Sequence, residues 1–227
     1  MTFIHEPVDL GYEDLVTKNV DGKRLYVTPE GKNYPSVTTV LSVNTHDAIM
    51  EWRNRVGEEE ANRVSSFAAS RGTRVHTMVE RYLDNREDYL EKSNHLTRKN
   101  FETMRPVLDE RISKIVLQEV PLYSKHLGLA GRVDCIGVFD GKLSIIDFKT
   151  SSKPKQWNWI HNYFMQETAY AIAFEERTGI PVANLVTIIV NDVDDHPQVF
   201  QENRDNWVNP LFDTIARYKR GLKIDND

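Results

Sequence analysis

The sequence predicts an α/β protein, with a mixed β-sheet of about five strands flanked by helices. Three observations predict it. Apolar residues recur at helical spacing through Leu96, Phe101, Met104, Leu108 and Ile112, and strand-like runs replace that pattern from Val116 onward. Two of those runs, Leu129–Phe139 and Lys142–Thr150, flank Asp140-Gly141, a dipeptide that favours a two-residue hairpin turn. The overall order is helices, three strands, a helix, two more strands and a closing helix.

Taken in order, residues 1–33 read as a peripheral N-terminal segment. Leu25–Val27 and the turn-rich Pro29–Asn33 predict a short hairpin before Tyr34. Residues 34–115 read as a mainly helical elaboration. Ser36 is placed to cap a first helix that contains Thr39, and Asp47 to cap a second running towards Val64. A third stretch is expected over about residues 65–85, with Gly72 as its weak point, and a fourth over about 94–115. Residues 116–202 supply the sheet. Val116–Tyr123 is the first strand, the Asp-Gly hairpin gives two more, and Ala183–Asn191 and Gln198–Glu202 complete it. Between them Trp157–Thr178 reads as a helix stopped by Gly179 and Pro181, and 203–227 as a C-terminal helix. No linker divides the chain, so its 227 residues read as one domain.

The composition narrows the function. A net charge of −5 disfavours nonspecific coating of nucleic acid, but not an enzyme with a local basic groove. The single cysteine, Cys135, leaves no internal disulfide and no four-cysteine zinc or iron–sulfur site within one chain. The longest apolar runs, such as Leu185–Val190, are far shorter than a membrane span. Glu6, Pro7, Asp9, Glu13 and Asp14 fit neither a secretory signal nor an Arg-rich presequence, so a cytoplasmic location is expected.

The hairpin carries the chemistry. With Asp140 and Gly141 in the turn, Phe139 faces Lys142, and the same register sets Asp147 opposite Asp134, with Cβ atoms ~5 Å apart. Lys149, two residues on, shares the face of Asp147, whereas Cys135 points to the face opposite Asp134. Two carboxylates this close repel and raise a pKa, and a divalent cation removes the conflict. Mg²⁺ or Mn²⁺ takes such oxygen ligands, polarises a phosphodiester and activates a water. Lys149 is suited to position or deprotonate that water, or to offset transition-state charge. The plainer alternative is a solvated Asp–Lys pair on a surface hairpin. The apolar Ile145, Ile146 and Phe148 argue instead for an interior strand, where an acid and an amine need a reason to be.

Asp134 followed by Asp147-Phe-Lys149-Thr150 resembles the signature of the PD-(D/E)XK nuclease superfamily in its RecB-like form, with the two acids thirteen residues apart. Gly72-Thr-Arg-Val-His76-Thr-Met-Val-Glu80 resembles that branch's upstream histidine helix, Gln166-Glu-Thr-Ala-Tyr170 its Q-x-x-x-Y helix, and Glu119-Val-Pro-Leu122 its E-x-P-L element. Tyr34–Leu41, the Trp52 helix, Arg71-Gly-Thr, Gly128–Asp134 and Trp159 to Tyr170 narrow the resemblance to the mitochondrial genome maintenance exonuclease family and its phage-encoded relatives, over about residues 34–190.

The resemblance implies a restriction-endonuclease-like core and a metal-dependent DNA exonuclease acting on single strands with free ends or flaps. It implies one divalent ion held by His76, Asp134, Asp147 and the main-chain carbonyl of Phe148, with Asp134, Asp147 and Lys149 catalytic. Gln166 would orient the lysine and Tyr170 contact a backbone phosphate. Glu119 would act through an outer-shell water or a second metal, or form a structural ion pair; Glu80 would support the metal site or form a salt bridge. No iron–sulfur cluster is expected. Arg71, Arg74, Arg132, Lys153 and Lys155 are the candidate DNA contacts, with Arg53, Arg55 and Arg63 nearby. Trp52, Trp157, Trp159 and Phe164 are base-stacking candidates for which core packing is the better expectation. The missing presequence favours a bacterial or phage source, with the cytoplasm of the bacterium or infected host as location. A monomer is expected, and association with replication or recombination proteins follows from the family alone. A structure-specific or flap endonuclease and a noncatalytic DNA-binding relative are the alternatives.

Overall fold

The computed structural model describes residues 2–91 and 93–224. Its main sheet has six strands in the order β1 (Ile4–His5), β5 (Ile112–Ser124), β6 (Leu129–Phe139), β7 (Lys142–Ser151), β8 (Asn184–Asn191) and β9 (Gln198–Asn203). The pairs β5–β6, β6–β7 and β8–β9 are antiparallel, and β1–β5 and β7–β8 parallel. The expected mixed sheet is therefore present with one more strand, added by the N-terminal segment. A second, three-stranded sheet holds β2 (Val16–Val20), β3 (Lys23–Val27) and β4 (Asn33–Pro35).

Helices cover both faces of the main sheet. On one face lie α1 (Val37–Leu41), α5 (His161–Thr178) and α6 (Val208–Ile224), where Val40, Phe164, Phe174 and Leu211 pack with Ile136, Ile145 and Leu185. On the other lie α3 (Glu58–Leu83) and α4 (His95–Arg111), where Val75, Met78, Phe101 and Leu108 pack with Cys135, Ile146 and Val186. Residues of β7 and β8 alternate between the two cores, as strands buried on both faces must.

Local chemistry explains the boundaries. Ser36 caps α1 by accepting the Thr39 N–H at 3.0 Å. Asp47 is not a cap: it lies in the first turn of α2 (His46–Val56), whose N-cap is Thr45. That helix stops at Gly57 and does not reach Val64, because Gly57 adopts φ 87° and ψ 153°, a backbone region essentially closed to other residues. The next helix then runs unbroken through Gly72 to Leu83. The fourth helix ends at Arg111, and Ile112 already belongs to β5: the apolar stripe continues while the backbone turns extended. Asp140 and Gly141 take φ 49° and 76°, the left-handed pair of the predicted tight hairpin. Asp21-Gly22 does the same between β2 and β3, a hairpin not anticipated. Residues 157–159 form a 3₁₀ turn before α5. Of the expected C-terminal segment, 225–227 lie outside the described residues.

Candidate active site

The site forms where β7 separates from β6. Their ladder runs from Phe139–Lys142 to Cys135–Ile146 and ends one step before Asp134 and Asp147. Beyond that point the Phe148 N–H donates to Asp134 Oδ2 at 2.9 Å, so a side chain takes the place of a ladder partner. The register predicted from the hairpin holds as far as Cys135–Ile146, and Asp134 and Asp147 lie just past the end of the ladder.

His76 reaches the same mouth from α3, with Nδ1 3.5 Å from Asp134 Oδ2 and its ring edge-on to Phe148. Glu119 arrives from β5. One ligand atom each from His76, Glu119 and Asp134 lies within 4.8 Å of the others. One nitrogen and two carboxylate oxygens at this spacing fit a divalent cation such as Mg²⁺ or Mn²⁺. Glu119 has φ 49° within a strand, a left-handed conformation that costs a non-glycine residue about 1–2 kcal/mol. The guanidinium of Arg132 donates to its carbonyl and holds that geometry. Burial, then the charges of Asp134 and Glu80, push the Glu119 carboxyl up to about 8. The residue is thus held in a strained backbone among like charges, which a cation would relieve.

Asp147 and Lys149 face α5. Asp147 is 1% exposed; Gln166 Nε2 donates to its Oδ1 at 2.9 Å, and Lys149 Nζ forms an ion pair with its Oδ2. Gln166 therefore holds the aspartate, where the lysine had been expected. Burial raises the Asp147 carboxyl above the usual aspartate range, against the pull of Lys149. Burial alone would lower the Lys149 ammonium, but Asp147 and Asp134 outweigh it and hold it above the usual lysine range. Lys149 Nζ also lies 5.1 Å from the centroid of the Tyr163 ring.

Other expected residues fall elsewhere. Tyr170 is buried, with its ring against Gly131: a Cβ there would lie 2.8 Å from Cε1 and 2.9 Å from the hydroxyl. It props β6 beside Asp134 and is closed to the phosphate contact expected of it. The Arg71 side chain is 5% exposed and donates to Asp192 Oδ2 at 2.6 Å, so it too is removed from the DNA contacts. Arg74 donates to Ser70 and lines a different cleft with Arg81 and Tyr89. Glu80 lines the cleft over His76, and its carbonyl accepts from Gln118. Arg132 spends its fork on Asp14 and the Glu119 carbonyl. Lys153 is exposed and Lys155 half-buried, both just beyond β7. Phe164 is core, as expected, and Trp52 is half-buried, whereas Trp157 and Trp159 are exposed, at 47% and 61%.

Two residues at the site escaped sequence reasoning. Glu167 is fully buried; it accepts from Thr187, the ladder partner of Asp147, and its carboxyl is raised by burial and then by Asp147. An acid within the largely apolar run Phe164–Phe174 was the available signal. Arg24 lines the cleft with His76, Glu119 and Asp134. The Asp21-Gly22 turn, of the same kind as Asp140-Gly141, would have revealed its strand.

Among the described residues, no helix is long and apolar enough to cross a membrane. The chain is similar to mitochondrial genome maintenance exonuclease 1 of Homo sapiens, 30% identical over 157 residues, which is 64% of this chain and 45% of that protein. The Mus musculus protein of the same name is 27% identical over 139 residues, 58% of this chain and 41% of that one. The aligned stretch thus spans less than half of either relative. A crystal structure of SSO0001 overlaps 74% of this chain and 70% of its own at 16% identity and a TM-score of 0.37, too loose an overlap to inform the site. The sequence model of the PD-(D/E)XK nuclease superfamily matches residues 50–225, which include His76, Glu119, Asp134, Asp147, Lys149 and Gln166. With a six-stranded mixed sheet between helical layers and that match over most of its length, the chain belongs to the PD-(D/E)XK nuclease superfamily.

Proposed function

We propose that the protein is a divalent-metal-dependent DNA exonuclease that hydrolyses phosphodiester bonds in single strands with free ends or in flaps. The observation that carries this reading is the convergence of His76, Glu119 and Asp134 beside the buried Asp147–Lys149 pair. His76 and Asp134 are the expected nitrogen and oxygen donors, and Glu119 joins them as a third. Phe148 fixes Asp134 through its N–H; because a strand residue projects N–H and C=O to the same edge, its carbonyl faces the same gap. Asp147 completes the acidic wall and keeps Lys149 charged. A bound Mg²⁺ or Mn²⁺ supplies Lewis-acid polarisation of the phosphodiester and a more acidic water.

Asp147 and Asp134 favour the charged form of Lys149, which suits it to orient water and to offset charge on the phosphoryl oxygens. Gln166 holds Asp147 at the distance that keeps the ion pair intact. The preference for free single-stranded ends rests on the resemblance to the exonuclease family, and the exposed Trp157 and Trp159 are surfaces on which unpaired bases can stack.

End-labelled single strands, duplexes, flaps and closed single-stranded circles provide the test. Wild type should degrade linear single strands with Mg²⁺ or Mn²⁺ and stop in EDTA, and Asp147→Asn should fold yet lose cleavage. Near-normal cleavage by Asp147→Asn would end the assignment. Equal cutting of closed circles would turn the reading to an endonuclease.

A further inference from the structure

The cleft over His76, Glu119 and Asp134 has a volume of about 350 Å³, and one of its walls comes from outside the region matched by the family. That wall is Arg24 of β3. Arg24 and Tyr26 are two residues apart and so share a face of their strand. Tyr26 is buried in a cluster with Tyr123 of β5 and Ala130 of β6, so this face turns towards the main sheet. The Arg24 carbonyl accepts the Ser36 N–H at 2.9 Å, and Ser36 in turn bridges to Ala130. Arg24 is therefore held at the cleft by a strand paired on both sides.

Glu80, Glu119 and Asp134 line the same cleft, yet among the described residues Arg24 makes no ion pair and no side-chain hydrogen bond. Arg132, the other arginine there, has its fork occupied by Asp14 and the Glu119 carbonyl. A guanidinium with unspent donors, across a cleft from side chains suited to hold a cation, is what a phosphodiester completes: one oxygen meets the cation and another meets the fork. We propose that Arg24 binds a phosphate of the DNA strand at the reaction centre, which makes the N-terminal three-stranded sheet part of the substrate-binding wall. This deepens the nuclease reading and rests on it.

The test is Arg24→Gln and Arg24→Lys in the full chain. A fluorescein-labelled single-stranded oligodeoxynucleotide is bound in Ca²⁺, its integrity checked on a gel, across a salt series. Thermal unfolding and calorimetric Mn²⁺ titration are run in parallel. Arg24→Gln should weaken DNA binding about 10-fold. Its slope of log affinity against log salt should be shallower by about 0.7, the share of one phosphate contact on a single strand. Arg24→Lys should recover part of the affinity, and Tm and Mn²⁺ affinity should match wild type. DNA binding within about twofold of wild type with an unchanged salt slope, in a protein that still cuts DNA, overturns the Arg24 assignment alone. A fall in Tm or Mn²⁺ affinity as large as the fall in DNA affinity also overturns it, by making Arg24 a scaffold or counter-charge. Wild type that neither binds nor cuts DNA removes the nuclease reading and this proposal together.

Discussion

Glu119→Gln should stabilise the metal-free protein and remove its response to a divalent cation. The magnitude follows from the carboxyl's position. Its pKa is raised from 4.5 to about 8 by burial and by Asp134 and Glu80. At ~1.36 kcal/mol per pH unit that is nearly 5 kcal/mol of gross penalty on the ionised form. Glu119 is only partly buried, and solvent screening reduces this to about 2 kcal/mol. The sign is fixed by proton binding: between pH 4.5 and about 8 the folded protein keeps a proton that the unfolded chain has released, so stability falls as pH rises. Glutamine keeps the shape and loses the titration. In EDTA the variant should therefore pull ahead of wild type across this range, reaching a Tm about 4–8 °C higher above pH 8. With Mn²⁺ the order should reverse, because the cation compensates the carboxylate and gains little from the amide. Thermal unfolding of both proteins from about pH 5 to about pH 8.5, with EDTA or Mn²⁺, measures this. Parallel Tm curves in EDTA would refute the claim that Glu119 is held among uncompensated like charges.

Other substitutions address neighbouring contacts. Gly131→Ala should drive a methyl into the Tyr170 ring and lower stability by about 1–3 kcal/mol in urea unfolding, with cleavage falling alongside; Tyr170→Leu in the same chain should restore part of both. Arg71→Ala should lower stability by about 2 kcal/mol, because it leaves Asp192 without its partner, while the DNA affinity of the folded fraction in anisotropy stays near wild type. Gln166→Leu frees one oxygen of a buried carboxylate and should cut kcat more than KM in steady-state cleavage assays; a change in KM alone would show that it does not act through Asp147.

Much of the hairpin that carries Asp134, Asp147 and Lys149 was legible because its information is local. Asp140-Gly141 fixes the turn, the turn fixes the register as far as Cys135–Ile146, and Asp134 and Asp147 follow at the end of that ladder. The separation of the strands just beyond Ile146 was not legible, since it depends on Asp134 competing with the β6 backbone for the Phe148 N–H. Neither was the direction in which Gln166 bonds, because two side chains on one helix face do not say which polar partner the packed sheet will offer. Arg71 misled for the opposite reason. A basic residue beside a histidine motif suggests solvent and phosphate, and only the tertiary position of Asp192 shows that it is buried. The N-terminal sheet went half-seen: the Pro29–Asn33 turn was recognised, but β2 is exposed along its whole length and carries no apolar alternation to mark it.

That small sheet bears on how the protein is handled in the laboratory. Tyr26, the Ser36–Ala130 bridge and the Asp14–Arg132 pair stitch it onto β6. An expression fragment trimmed to begin at residue 50, where the family match starts, would strip a flank from the cleft and release Arg132 from Asp14. Boundaries set by the family match would leave the cleft beside His76 open on that flank, and a poor result from such a fragment would not speak for a chain that keeps residues 1–49.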